Sequence, residues 1–360
     1  MKIRTDILQK MVSKAIQGAS ANKMIPLTSL IGIEVKGKDL TLITTDGSNQ
    51  FKVNAEIEYE PMYGPQEFYT IINAETFSKL VGKTTKEFIG LENKENYLEV
   101  TGNGTYKLEI AINEEGEMVR FPDIKDIQGE ELSINLNNLQ EAIKVAKASV
   151  AKTMEVPCLT GYYIGQDMIT TDRQLVCKLD NKLITEPILI SSEMAELLLL
   201  VEGDEILELV KKDNNLIFYN ANYTIAGKEL EGKELYPVQP IENLTRLDYR
   251  NTIKVNKQEL LNVLDRMALF VTDYDKNGIS LTFAKDGLCI TSQKSNAQEL
   301  IEAKCETEEK YNCLVDIEML KSQVETISTD EVEIQYGQDK SIKIVDSNII
   351  HIISLLEKTN

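Results

Sequence analysis

The chain has 360 residues, 42% of them hydrophobic, with 58 acidic against 39 basic side chains and a formal charge of −19. That length exceeds one ordinary domain and suits two or three with full cores, which excludes a disordered tail or a disulfide-stapled mini-protein. Apolar runs such as residues 197–201 and 349–353 are far too short to span a bilayer, and the first four residues open no signal peptide. A soluble, cytoplasmic protein without a membrane partner is expected. The five cysteines (Cys158, Cys177, Cys289, Cys305, Cys313) are scattered and lack a C-x-x-C pair, so they read as reduced thiols. Net acidity disfavours phosphate binding unless the basic residues are segregated.

Residues 3–17 (IRTDILQKMVSKAIQ) read as a short strand running into an amphipathic helix, with Ile7, Leu8, Met11, Val12 and Ala15 on one face. From Gly32, GIEVKGKDLTLITTD alternates apolar and polar side chains about a turn, as half-buried antiparallel strands require. A second strand–helix pair, YTIINAETFSKLVG, begins at Tyr69, and a hairpin with its turn at Asn103-Gly104 follows from Tyr97. The same order restarts at residues 134–149 (INLNNLQEAIKVAKAS), with GYYIGQDMITTD from Gly161 and ILISSEMAELLLLV from Ile188. It restarts again at residues 253–269 (IKVNKQELLNVLDRMAL), with GISLTFAKDGLCITS from Gly278, CLVDIEMLKSQVETI from Cys313 and a last hairpin from Val332. Asn138 with Glu141, and Asn256 with Glu259, have capping-box spacing and mark where two of the helices begin. A unit of two helices and roughly eight strands, about 120 residues long, is therefore repeated three times. The expected fold is α+β, with domains at 1–125, 126–245 and 246–360 joined by polar, proline-containing linkers near 114–130 and 237–249.

This threefold pattern, together with MIPLTSLIGIEV (24–35), ITTDRQLVC (169–177) and an apolar C-terminal strand, resembles the β subunit of DNA polymerase III along essentially the whole chain. The resemblance implies the DNA clamp fold: three clamp domains, each with two helices packed on antiparallel sheets, in a head-to-tail homodimer that closes a ring around a helix-lined hole. It implies a sliding clamp of DNA replication that encircles duplex DNA without sequence preference. Such a clamp tethers the replicative polymerase, confers processivity, is loaded by an ATP-dependent clamp loader, and has no catalytic role or cofactor.

Enzyme-like features have other readings. Gly82-Lys83-Thr84 imitates the end of a P-loop, but Phe77 stands where the motif needs glycine, and the tripeptide ends a helix where a P-loop starts one. The single histidine, His351, lies on an apolar strand with no nucleophile motif to serve. Glu114-Glu115 and Asp204-Glu205 read as solvated surface. Two alternatives stay open: a clamp-fold scaffold that binds only proteins, and a divergent nucleotide-dependent enzyme.

The six expected helices (4–17, 74–86, 137–152, 191–202, 256–271, 316–327) hold 12 basic and 11 acidic residues, so the acidic surplus lies outside them. Lys10 with Lys14, Lys79 with Lys83, and Lys144 with Lys147 are neighbours on helix faces. The resemblance turns these faces, and Lys23 in the loop before Met24, toward DNA. The 191–202 helix departs from a basic lining, carrying Glu193, Glu196 and Glu202 without a lysine. The resemblance also implies a groove for apolar partner peptides, built from Leu175, Val176, Pro237, Val238, Ile352, Ser354, Leu355 and Leu356. Leu355 stands where the family typically has proline. The dimer contact it implies sets Tyr106 and Leu108 against Phe270 and Val271. Asn103 and Thr105 replace the usual arginines, so ion pairing with Glu299 or Glu302 is largely lost and apolar burial carries more of the contact.

Overall fold

The computed structural model describes residues 1–20, 22, 24–57, 67–124, 129–272, 277–294, 296–303 and 310–357. The strand–helix pattern recurs three times. Strands Lys2–Arg4, Glu130–Asn135 and Asn251–Asn256 run into helices Thr5–Ala15, Leu136–Ala146 and Lys257–Met267. Each helix is followed by a three-strand meander: Leu30–Lys36, Asp39–Thr45 and Gln50–Glu56; then Gly161–Ile164, Asp167–Thr171 and Leu175–Asp180; then Gly278–Ala284, Gly287–Ser292 and Gln298–Glu302. Strands Phe68–Asn73, Ile188–Ser191 and Tyr311–Asp316 feed the second helices, Ala74–Gly82, Ser192–Leu198 and Ile317–Glu325. A second meander closes each repeat, ending on Thr105–Glu109, Tyr223–Lys228 and Ile349–Ser354. This is the α+β architecture of mixed helices and antiparallel sheets that the repeat analysis anticipates.

Two local expectations need correction. The second repeat's helix begins at Leu136, so Asn138 sits inside its first turn and Asn135 precedes it. Leu136 is 3% exposed and extends the buried stripe of Leu139, Ile143 and Ala146, so burying it draws the helix start back past Asn138. Asn256 does cap its helix, its side chain accepting the Glu259 N–H at 2.9 Å. The segment 237–249, read as linker, contains a helix at Val238–Thr245. Ile241 and Thr245, one turn apart, are buried on its inner face, and Lys178 holds the outer face through Glu242.

The chain folds as two compact units that do not follow the repeat boundaries: residues 1–137 with 193–229, and residues 138–192 with 230–360. Each contains one eight-stranded and one four-stranded antiparallel sheet. In the first unit, Gln50–Glu56 pairs with Tyr223–Lys228 to join a meander of the first repeat to one of the second. In the second unit the corresponding strands, Leu175–Asp180 and Ile349–Ser354, make the corresponding join.

Amphipathic helices pack on the sheets through the faces their spacing dictates: Leu8, Met11, Val12 and Ala15 in the first unit, Leu260, Val263, Leu264 and Met267 in the second. A buried threonine finishes a helix the same way in both units. Thr44 Oγ1 donates to the Ala15 carbonyl at 2.7 Å, and Thr170 Oγ1 to the Ala146 carbonyl at 2.9 Å. At the first of these ends the backbone comes so close that a Cβ on Gly18 would lie 2.6 Å from Thr44 Oγ1, so only glycine fits.

Candidate functional site: cationic helices, an apolar groove and two open sheet edges

The cationic helix faces are only partly free. Lys14 is 13% exposed and reaches Glu202 at 2.8 Å, the Leu200 carbonyl at 2.9 Å and the Tyr223 hydroxyl at 2.9 Å, with its ammonium 4.9 Å from the Tyr223 ring centre. Lys10 pairs with the same Glu202 at 3.0 Å. Hydrogen bonds from Lys14 and then Lys10 hold the Glu202 carboxyl below the usual carboxylate range. The carboxylate at the end of the lysine-free segment therefore neutralises the first helix's lysines, through contacts almost two hundred residues apart in sequence. Lys79 is paired with Glu75 one turn earlier on its own helix. Lys83, Lys144 and Lys147 are exposed, and Lys23 lies outside the described residues. Lys83 caps the C-terminal end of Ala74–Gly82, its N–H meeting the Lys79 and Val81 carbonyls, so the GKT tripeptide presents no helix N-terminus to a phosphate.

The residues expected to form an apolar groove all belong to the second unit, and strand alternation divides them. Leu175 opposes Ile353, and Val176 opposes Ile352, across one antiparallel pair. Successive side chains of a strand point to opposite faces. Val176 and Ile352 accordingly join a cluster with Cys158, Leu159, Ile169 and Tyr236, against which Val238 packs. Leu175 and Ile353 join the large core beneath the third repeat's helices, with Leu355 against it. Leu175, Val176 and Ile352 are buried, whereas Pro237, Val238, Ser354, Leu355 and Leu356 are half-buried. The C-terminal segment is fastened by backbone bonds from Ser354 to the Gln174 carbonyl (2.9 Å), Leu355 to Lys340 (2.9 Å) and Leu356 to Leu314 (2.8 Å). Lys178 anchors the Val238–Thr245 helix, reaching Glu242 at 2.5 Å and Asp167 at 3.2 Å.

Next to this surface is a pocket of about 410 Å³ whose apolar wall, Val156 and Leu159, is continuous with the Val176 cluster and whose other wall is Asp172, Arg173 and Gln174. Its residues 151–159 escaped the sequence reading. The available signal was internal: MEVPCLTG from Met154 occupies the place that MIPLTSLIG has in the first repeat.

The sheet edges complete the picture. In both eight-stranded sheets the join uses the strand that closes one repeat's first meander and the strand that ends the next repeat. The two four-stranded sheets end, on one side each, in the strands left over from that rule, Gln298–Glu302 and Thr105–Glu109. Around these edges Tyr106 is 39%, Phe270 47%, Leu300 46% and Leu269 81% exposed, with Leu108 and Val271 half-buried. Glu299 is bound to Arg266 of its own chain, Nε to Oε1 at 2.8 Å and Nη2 to Oε2 at 2.5 Å.

His351 is fully buried in its strand. Its Nε2 lies 2.8 Å from Thr326 Oγ1, whose own proton goes to the Gln323 carbonyl at 2.7 Å. The imidazole proton therefore sits on Nε2, leaving Nδ1 an acceptor without a partner among the described residues. Burial pushes the ring's pKa down to about 4, against a smaller upward pull from Asp346.

Residues 1–119 match the family described as DNA polymerase III beta subunit, N-terminal domain. The chain is 22% identical over 303 residues to a beta sliding clamp of Halalkalibacterium halodurans, covering 79% of this chain and 78% of that protein. Its fold is similar to solved structures at 99% coverage of both chains. These include a DNA polymerase III beta subunit of Thermotoga maritima (TM-score 0.86, 13% identity) and a DNA polymerase sliding clamp of Bacillus subtilis (0.86, 18%). A DNA polymerase III subunit beta of Borrelia burgdorferi, solved with a natural product, gives a TM-score of 0.87 at 18% identity. The N-terminal third thus matches the family's own domain, and the fold along the whole chain is that of the solved DNA polymerase III beta subunits.

Proposed function

We propose that two copies of this chain, each of three clamp domains at 1–125, 126–245 and 246–360, close head to tail into a ring around duplex DNA and hold the replicative polymerase there without catalysing a reaction. The observation that carries this reading is the pair of open edges, Gln298–Glu302 and Thr105–Glu109. They are the counterparts, in the third and first repeats, of the strands that the two internal joins pair, so a second copy can continue the sheet at each end by the rule the chain already uses twice. Two different surfaces related by a twofold axis make two equal contacts and close the assembly. An ATP-driven loader is needed to open such a ring, and the cytoplasm is its place of work.

DNA retention should be topological. Exposed lysines such as Lys83, Lys144 and Lys147 touch phosphates in a screened setting and read no bases. With Lys10 and Lys14 already held by Glu202, direct affinity is expected to be weak, to fall with salt and to ignore sequence. Loaded protein is expected to persist on closed circular DNA and to run off the linearised form. Equal loss from the two substrates would overturn encirclement, and retention on neither would favour a scaffold that binds only proteins.

The groove formed by Val176, Val238 and Ile352 with Leu355 and Leu356 is the proposed seat for partner peptides. Two or three buried apolar anchors contribute roughly 3–9 kcal/mol before association and ordering costs, giving a Kd near or weaker than about micromolar. Deleting residues 355–360 is expected to abolish capture of the cognate polymerase while leaving solution mass at that of the dimer. Undiminished polymerase capture by the truncated dimer would put the partner site elsewhere.

A further inference from the structure

We propose that Glu202 is a built-in competitor for DNA phosphate, which withholds Lys10 of the first helix and so keeps the chain's direct hold on duplex DNA one phosphate contact weaker. This rests on the reading above that the helix lysines face DNA, and it names the residue that regulates them. The carboxylate is shared between two lysines one helical turn apart. Its Oε1 lies 2.8 Å from Lys14 Nζ, and its Oε2 lies 3.0 Å from Lys10 Nζ. Both sides feel the pairing. Glu202 raises the Lys10 ammonium above its ordinary range, while Lys14 and then Lys10 hold the carboxyl below its own. The two lysines are nevertheless held very differently. Lys14 is 13% exposed and has the Leu200 carbonyl, the Tyr223 hydroxyl and the face of the Tyr223 ring besides Glu202. Lys10 is 68% exposed, and Glu202 is its one ion-pair partner among the described residues. Removing the carboxylate therefore leaves Lys14 in place and releases Lys10 alone.

The fold does not require this charge, because the second unit builds the same corner without one. Lys14 precedes Ala15 and Val145 precedes Ala146, the two residues whose carbonyls take the buried threonine bonds. Glu202 stands four residues before strand Ile206–Lys212, and Ile327 four residues before strand Glu331–Tyr336. Tyr223 and Ile349 each open the strand that makes the internal join. Val145, Ile327 and Ile349 are all buried, so apolar packing serves where the first unit has Lys14, Glu202 and Tyr223. The Lys10–Glu202 pair adds little stability in exchange, since ion pairs at exposed positions contribute little. What it changes is the charge that the first helix offers.

Carboxylate and phosphate oxygens accept from the same ammonium, and an exposed pair is weak enough for one to replace the other. When phosphate takes Lys10, it leaves a Glu202 oxygen unpaired beside a polyanion. Duplex DNA therefore gains less from Lys10 than from an exposed lysine such as Lys83. A contact so easily exchanged suits a protein that has to move along DNA while staying on it.

The test measures binding of the full chain to a short mixed-sequence duplex by fluorescence anisotropy over a sodium chloride series. Glu202→Gln keeps the side chain's shape and an acceptor for Lys14, and presents an amide to Lys10. It is expected to bind about threefold tighter at low salt, as one exposed charge contact supplies. The slope of log affinity against log salt should steepen by about 0.9, the increment of one phosphate. Adding Lys10→Gln to the same chain should cancel both gains. Glu193→Gln removes an exposed carboxylate of the same segment without freeing a lysine, and should leave the slope as it was. Lys10→Gln by itself should lose less affinity than Lys83→Gln, a comparison that does not depend on how Glu202→Gln folds. An unchanged slope in Glu202→Gln overturns the proposal, as does a gain that survives Lys10→Gln or is matched by Glu193→Gln. Equal losses from Lys10→Gln and Lys83→Gln overturn it too. A slope indifferent to substitution of Lys10, Lys83 and Lys144 alike would bring down the reading that these helices face DNA, and this proposal with it.

Discussion

Introducing aspartate at both Tyr106 and Phe270 is expected to leave the chain monomeric at micromolar concentration. Tyr106 stands on the open strand Thr105–Glu109, and Phe270 follows the Lys257–Met267 helix in the unit whose open strand is Gln298–Glu302. Both are large apolar side chains left 39% and 47% exposed in the single chain, a state that continued sheet pairing would relieve. Full burial of such a side chain contributes about 1.5–3 kcal/mol; with less than half of each left to bury, and each contact made twice by twofold symmetry, roughly 3–5 kcal/mol of association is at stake. The new carboxylates also arrive beside Glu109, Glu299 and Glu302 in a chain already at −19. Because Glu299 is held by Arg266 within its own chain, ion pairs across the contact contribute little. The unmodified dimer should therefore keep its mass as sodium chloride is raised. Sedimentation velocity of both proteins at low and high salt reads this directly. A dimeric double variant would move the interface elsewhere, and an unmodified monomer would remove the ring.

Stability should fall as the pH is lowered from 6.5 toward 4, and replacing His351 with leucine should largely remove that fall. The folded ring's pKa is pushed down to about 4 from an ordinary 6.5. Above pH 6.5 the ring is neutral in both states and its contribution does not change. Between 6.5 and 4 the unfolded chain takes up a proton that the folded chain refuses, so unfolding becomes steadily more favourable. Below about 4 both states are charged and the loss levels off, near 3 kcal/mol for a displacement of this size. The geometry explains the refusal: a second proton would sit on Nδ1, buried and without an acceptor, while Nε2 is engaged by Thr326. His351→Leu removes the orphaned acceptor, and Thr326 keeps its bond to the Gln323 carbonyl. The chain has one histidine, so urea-unfolding midpoints at pH 7, 5.5 and 4.5 separate its titration from that of the carboxylates. Parallel losses in the variant and the unmodified protein would assign the acid sensitivity to other groups.

Local periodicity was enough to read the repeat. Apolar spacing of three and four located the helices, alternation located the meanders, and the Asn256 cap set one helix start, because each depends on neighbours a few residues away. Where two local signals competed, packing decided: Asn138 has the residue type and spacing of a cap, yet burial of Leu136 starts the helix earlier. The Val238–Thr245 helix was illegible because Pro237 and Pro240 carry a breaker's signature, and its stability comes from Ile241 in a distant cluster and from Lys178 holding Glu242. Leu175 and Val176 are adjacent in sequence, but the pleat assigns them to opposite faces. The lysines of the first helix looked free by spacing, and only folding brings Glu202 to them. The repeated α+β unit was legible from local pattern alone. Folding set which lysines of the first helix are paired, which apolar cluster each face of a strand joins and which strands end the sheets, because these depend on residues far apart in the chain, whose meeting no local pattern records.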